Sequence, residues 1–296
     1  MPPELPPLSD AHNHLQDPWL APHRDRIFAG LAALPLRRAV VNGTCETDWP
    51  AVAALARTHA WILPSYGLHP WQVGNASPTW RDQLLAHLDA PPSAPSPPPA
   101  LGEIGLDAWI LHRARLDDPR LAGLRRAPLD EQLAAFRWQL DLATARNLPA
   151  TLHCLDAWGP LAAELRLRRP ARGFLLHAYN GSLELARELA ALGAYFSFNG
   201  SFLADRAAKK RAVFAALPAD RLLVETDAPA MPLPPPLQTH VLPDTADGQR
   251  VNHPANLAAA YAGLAALRDT SLPALAEQIE ANFHRFFTSP PPRPKS

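Results

Sequence analysis

Eight short apolar segments recur along the chain, and longer amphipathic segments alternate with them. This alternation restricts the available folds more than any other feature. The strand-like segments are Leu8–His14, Arg38–Gly43, Trp61–Leu68, Ala100–Leu106, Ala150–His153, Gly173–His177, Ala194–Phe198 and Leu222–Glu225. Helical stretches lie between and after them, at Arg24–Leu34, Asp48–His59, Pro78–Leu88, Leu129–Arg146, Asp156–Leu167, Leu183–Leu192, Asp205–Leu217, Pro254–Leu267 and Leu272–Phe287. In the longest of these, Leu129, Leu133, Phe136, Leu140 and Ala143 keep close to the helical period. Asp48 before Pro50, and Ser182 before Glu184, read as helix caps. Strand and helix repeated in this way predict an α/β fold, a (β/α)8 TIM barrel. A doubly wound open sheet is the alternative.

The residues able to do chemistry choose between the two. His12, His14, Glu103, His153, His177 and Asp227 each stand at the C-terminal end of an apolar segment. In a barrel those ends share one face, where active sites form. In an open sheet, strands at opposite edges could not bring them together. Imidazole and carboxylate are ligands of hard-to-borderline divalent cations, so convergence of these six implies a metal centre. His12 and His14 are two residues apart on a strand and point to the same side. Asp10 has the same parity but lies deeper; its expected role is to orient a histidine through the other ring nitrogen.

Glu103 lies in Gly102-Glu-Ile-Gly-Leu-Asp107. A carboxylate at the end of an apolar strand is costly to bury without a cation, and it has an oxygen for each of two metals. His153 and His177, on neighbouring strands, can hold the second. Glu225 shares the parity of Asp227 but lies deeper, in a supporting position. Two cations about 3.5–4 Å apart would acidify a bridging water and polarise a phosphoryl or carbonyl oxygen. Asp227 is then placed to ligate one cation and take the water's proton. Glu103 and Asp227 are thus the candidate catalytic carboxylates. The donor set suits zinc or manganese, whereas magnesium prefers fewer nitrogens. Neither a G-x-S-x-G elbow nor a phosphate-binding P-loop is present. Cys154 follows a candidate ligand, but its parity turns it away, and it reads as packing.

Composition excludes little else. Lys and Arg total 28 and Asp and Glu total 28, which argues against a strongly basic surface that coats nucleic acid. Two cysteines make no disulfide framework, and the first residues, MPPELPPLSD, lack the features of a signal peptide. A cytoplasmic monomer is the expectation. No apolar run approaches the roughly 20 residues of a membrane span. The expected organisation is one barrel over residues 1–289, with a Pro-rich surface loop at 91–99 and a disordered Pro-rich tail at 290–296.

The motifs resemble the TatD-like DNase family of metal-dependent hydrolases, in the amidohydrolase-like barrel superfamily. The resemblance runs from about Leu8 to Phe287. It is carried by Asp10-Ala-His-Asn-His-Leu15, Gly67-Leu-His-Pro70, Gly102-Glu-Ile-Gly-Leu-Asp107, Leu148-Pro149 through His153, His177-Ala-Tyr-Asn-Gly181, Tyr195-Phe-Ser-Phe-Asn-Gly200, Glu225-Thr-Asp-Ala-Pro229, Asn252-His-Pro254 and Asn282-Phe-His-Arg-Phe286. It implies a site for two divalent metal ions (zinc, manganese or magnesium) on the six residues above. It implies nuclease action on DNA, notably from the 3′ end, with single-stranded ends or a small phosphodiester as substrate. His69 is expected to contact the scissile phosphate or order a water, and Tyr179 and Asn180 to touch substrate. Three features depart from the family pattern. Leu155 stands where an arginine is common, the N-E-P element reads Asn252-His253-Pro254, and the segment Ala108–Pro128 is long and arginine-rich. That segment reads either as a lid restoring phosphate contacts or as a solvated loop. An amide, ester or lactone hydrolase, or an aminoacyl-tRNA deacylase, remains the alternative activity.

Overall fold

In the computed structural model, which describes residues 5–90 and 98–289, eight parallel strands pair in chain order. They are β1 (Leu8–Asn13), β2 (Leu36–Asn42), β3 (Ile62–Tyr66), β4 (Ala100–Asp107), β5 (Ala150–Leu155), β6 (Phe174–Leu176), β7 (Ala194–Asn199) and β8 (Leu222–Glu225). The chain just past β8 returns to β1: the Asp227 amide donates to the His12 carbonyl at 2.9 Å, and the His14 amide to Ala228 at 2.8 Å. The sheet is therefore a nearly closed barrel. The open-sheet alternative is excluded.

Around it lie α1 (Arg24–Ala32), α2 (Trp49–Thr58), α3 (Trp80–Asp89), α4 (Trp109–His112), α5 (Leu129–Arg146), α6 (Trp158–Leu167), α7 (Leu183–Ala191), α8 (Ala208–Ala216), α9 (Leu257–Leu267) and α10 (Leu272–Phe283). The strands are apolar on both faces because side chains fill the barrel on one side and meet helices on the other. Phe136 and Leu140 of α5, with Phe174, Phe196 and Phe214, are fully buried between these layers. Cys154 is buried too, as its parity predicts. The helical period of α5 also buries two amides, Gln132 and Gln139. The Gln132 side chain holds both backbone groups of Asp107, and Gln139 those of Leu68. These two pairs of bonds pin the ends of β4 and of the segment that carries His69.

Of the two caps, Ser182 accepts from the Leu185 amide at 3.2 Å as expected. Asp48 occupies the N-cap of α2, but its side chain does not cap the helix. Its carboxylate turns back to the Thr44 and Cys45 amides and the Gln16 side chain, bracing the loop after β2. The Pro-rich stretch expected as a loop lies outside the described residues at 91–97, as does the tail at 290–296.

Candidate metal centre

Backbone irregularity at two strand ends sets the site. β4 has one more residue than β5 between Leu101 and Ile104, and β1 one more than β2 between Asp10 and Asn13. Such bulges re-aim side chains at barrel rims. Gly105 follows the first with φ +147°, and a Cβ there would meet the His153 carbonyl oxygen at 1.9 Å. Only glycine lets β4 approach β5 this closely.

The four candidate histidines and His69 converge on Glu103, and Asp227 joins them through His12 and His14. The His12 and His14 Nε2 atoms lie 3.2 Å apart. They stand 3.4 and 3.3 Å from Glu103 Oε2, and 3.5 and 3.6 Å from Asp227 Oδ1. On the other side, Glu103 Oε1 lies 2.7 Å from His177 Nε2, 3.0 Å from His153 Nδ1 and 3.4 Å from His69 Nε2. Donors held 2.0–2.1 Å from one cation in a tetrahedral array lie roughly 3.3 Å from each other. The donor set and its spacing therefore fit divalent cations.

Neighbouring acceptors fix which ring nitrogen faces inward. The His14 Nδ1–H donates to the Asn42 carbonyl at 2.8 Å, leaving Nε2 its lone pair. Asp107 Oδ2 accepts from His153 Nε2 at 2.9 Å, leaving Nδ1 for the centre, and from the Trp71 indole at 2.6 Å. His69 Nδ1 accepts the Trp71 amide at 3.2 Å, so a neutral His69 carries its proton on Nε2, toward Glu103. Buried His12 stacks on His177 with ring centroids 4.1 Å apart, and among the described residues neither Nδ1 has a hydrogen-bond partner.

Burial and mutual charge decide protonation. Burial works against ionising Glu103, but the His177, His69 and His12 imidazoles hold its carboxyl well below the usual range. Burial likewise opposes Asp227, and its His14 hydrogen bond with the surrounding imidazoles keeps it low. His153 rises to about 9 because Asp107 and Glu103 outweigh its burial. His69 goes the other way, lowered chiefly by burial.

Several expectations need correction. Asp10 orients no imidazole. It accepts from the Thr226 amide and hydroxyl at 3.0 and 2.6 Å and from the His12 amide at 3.2 Å, tying β1 to the chain after β8. The extra residue in β1 displaces it from the histidine rings, and burial raises its carboxyl to about 7. Tyr179 is 1% exposed and packs on Trp158 and Phe196, its hydroxyl donating to the Ser182 carbonyl. It is core, and no substrate contact is open to it. Asn180 lies on the surface beside it and accepts the Trp158 indole at 3.0 Å. Glu225 is a support, holding the Ala178 amide at 3.0 Å and the Ser197 hydroxyl. His253 is buried and packs at a tilt against His240, with ring centroids 4.8 Å apart, and accepts the Ala255 amide on Nδ1. Ala108–Pro128 is largely solvent-exposed, as a solvated loop would be, but its arginines are engaged rather than free. Arg115, Arg120 and Arg125 pair with Asp117, Asp118 and Glu131, Arg113 with Asp156, and Arg126 holds the Ile110 and Ala114 carbonyls.

A family model described as TatD related DNase matches residues 9–288. The chain belongs to this family. It is accordingly a metal-dependent hydrolase of TatD type. An Escherichia coli K12 relative named as the metal-dependent hydrolase YjjV is 30% identical over 281 residues, covering 95% of this chain and 98% of the relative. Its crystal structure superposes with a TM-score of 0.79 over 96% of this chain and 98% of that one, at 29% identity. A relative from Cronobacter turicensis named as the 3′-5′ ssDNA/RNA exonuclease TatD is 35% identical over 211 residues, 70% of this chain and 72% of its own. A TatD family hydrolase from Entamoeba histolytica shares the fold, with a TM-score of 0.78 at 17% identity over 97% of this chain and all of that one. Among the described residues no helix is long and apolar enough to cross a membrane.

Proposed function

We propose that this chain hydrolyses phosphodiester bonds at the ends of single-stranded nucleic acid, using two divalent cations bridged by Glu103. One observation carries the two-cation reading. Glu103 divides its oxygens, Oε2 toward His12 and His14 and Oε1 toward His153 and His177. Asp227 completes the first nest. The imidazole-rich donors favour zinc or manganese over magnesium. Once bound, such cations supply a water that ionises near neutrality and polarise a phosphoryl oxygen.

The protein's residues do the rest. The Asp227 carboxylate, low despite burial, can take a proton from a water at the centre. His69 offers Nε2–H to a phosphoryl oxygen. Half-buried Trp71 and Trp109 stack 6.2 Å apart beside His69 with the Arg120 guanidinium over both rings, a cationic aromatic surface suited to an unpaired base rather than a duplex. The name of the Cronobacter relative points to the same substrate class.

Leu155 and the internally paired rim arginines favour a second reading, with the same centre cleaving an ester, amide or lactone, or deacylating an aminoacyl-tRNA. One screen separates them: end-labelled single-stranded DNA, a small phosphodiester and an ester panel, each with zinc, manganese and magnesium. Shortening from the 3′ end is the expected result. Turnover of esters with every phosphodiester intact would reject the first reading.

A further inference from the structure

The groove between the starts of α7 and α8 carries charge that the metal centre does not use. α7 follows β6 and α8 follows β7, so both helices begin on the face that holds His177. Between them is a cavity of about 450 Å³, lined by Asn180, Ser182, Glu184, Lys209 and Lys210 among others. Arg206, Lys209, Lys210 and Arg211 fall within six residues of a chain whose charges otherwise balance. Arg211 is engaged by the Phe202 and Ala204 carbonyls. Lys210 lies over the Phe202 ring at 4.7 Å. Neither lysine belongs to an ion pair among the described residues. The groove's carboxylate, Glu184, is held below its usual range by its own amide and the Ser182 hydroxyl.

The lysines are badly placed for the helix that carries them. They occupy the first turn of α8, which has no acidic residue and no side-chain cap. Cations there oppose the helix dipole. Their position is understandable if the groove takes an anion. Lysine is a point charge on a flexible stem, suited to phosphates that vary in position and carry no sequence. Asn180 spends only its oxygen on Trp158, which leaves its amide hydrogens for a ligand.

We propose that this groove binds backbone phosphate of the single strand, at nucleotides beyond the one cleaved at the Glu103 centre. The inference rests on the proposed nuclease reaction. The test compares wild type with K209A/K210A and with K209R/K210R. Binding of a labelled 20-nucleotide DNA to metal-free protein is followed by anisotropy across a salt series. The alanine pair should bind roughly tenfold more weakly or worse, as expected for losing one or two charge-assisted contacts. The slope of log K against log salt should become shallower by about 1.4, or 0.7 per lost phosphate contact. The arginine pair should restore both. In the metal-loaded enzyme, KM for the 20-mer should rise while hydrolysis of bis(p-nitrophenyl) phosphate stays unchanged. The Tm of the alanine pair should hold or rise, since the lysines oppose the dipole; a fall restored by arginine would assign them a structural role and reject the groove. Equal affinity and slope in wild type and alanine pair would also reject it, while wild-type hydrolysis of the small diester would leave the reaction standing. A wild type that hydrolyses neither substrate would overturn the reaction, and the groove with it.

Discussion

Replacing Glu103 by glutamine should weaken both donor nests, whereas replacing Asp107 by asparagine should weaken only one. Glutamine keeps the shape of Glu103 but removes the charge and turns an amide toward imidazole nitrogens. At 3.0 Å, the separation of Glu103 Oε1 and His153 Nδ1, unit charges interact by about 5–6 kcal/mol at an effective dielectric of 20. That is roughly a ten-thousandfold in affinity, and a dication carries twice the charge. Asp107 only orients His153, accepting Nε2–H at 2.9 Å. Loss of such an orienting carboxylate costs about 10–100-fold in metal affinity. Mass spectrometric metal analysis and calorimetric titration with zinc or manganese measure both variants. E103Q should hold no more than one cation, weakly, and lose turnover. D107N should still take two, one of them with reduced affinity. Two cations bound to E103Q at near wild-type affinity would refute the bridging argument.

Asp227→Asn should keep the fold and some metal but lose about 10²–10⁴ in kcat, the usual contribution of a general base; unchanged single-turnover rates would remove it from that role. Tyr179→Phe should lower stability by about 1 kcal/mol, the weight of its bond to the Ser182 carbonyl, and leave KM unchanged. A raised KM in that variant would restore Tyr179 to the substrate site. His253 should make stability depend on pH: burial, with His240 and Arg26 facing it, lowers its imidazole to about 4, so the folded protein binds fewer protons than the unfolded chain between that value and 6.5. Stability is then complete above 6.5 and falls by about 2 kcal/mol by pH 5, and urea titrations of His253→Asn should lack that component.

The candidate ligands were legible because His12, His14, His177 and Asp227 stand at or just past strand ends, and in a barrel all strands end on one face; Glu103 and His153 lie a few residues inside β4 and β5. Parity carried His12 and His14 as well. It failed for Asp10, because the extra residue in β1 breaks strict alternation just where that carboxylate would pass beneath a ring. Asp107 could have been found: it stands four residues after Glu103 in the same strand and the same motif. The Asn42 carbonyl could not, since a backbone acceptor leaves no mark in the sequence. Gln132 and Gln139 were hidden by the apolar period around them. Tyr179 was misplaced because Ala178 adopts φ 45°, turning the chain after His177 so that the ring enters the core while Asn180 stays outside.

Metal chemistry and substrate choice differ in legibility because they are built on different parts of the fold. Strands fix the ligands, and strand rules are periodic. Substrate contacts arise on loops and first helical turns, where charge is local and a sum over the chain says nothing about it. Twenty-eight bases balance twenty-eight acids here. Yet Arg115, Arg120 and Arg125, on the rim after β4, are neutralised by Asp117, Asp118 and Glu131, while Lys209 and Lys210, on the rim after β7, face a groove with no ion-pair partner among the described residues. A chain of zero net charge can thus present a one-sided field at the barrel mouth. A polyanion would approach the metal centre from the side of α7 and α8, with the tryptophans of the opposite rim left to meet its terminal base.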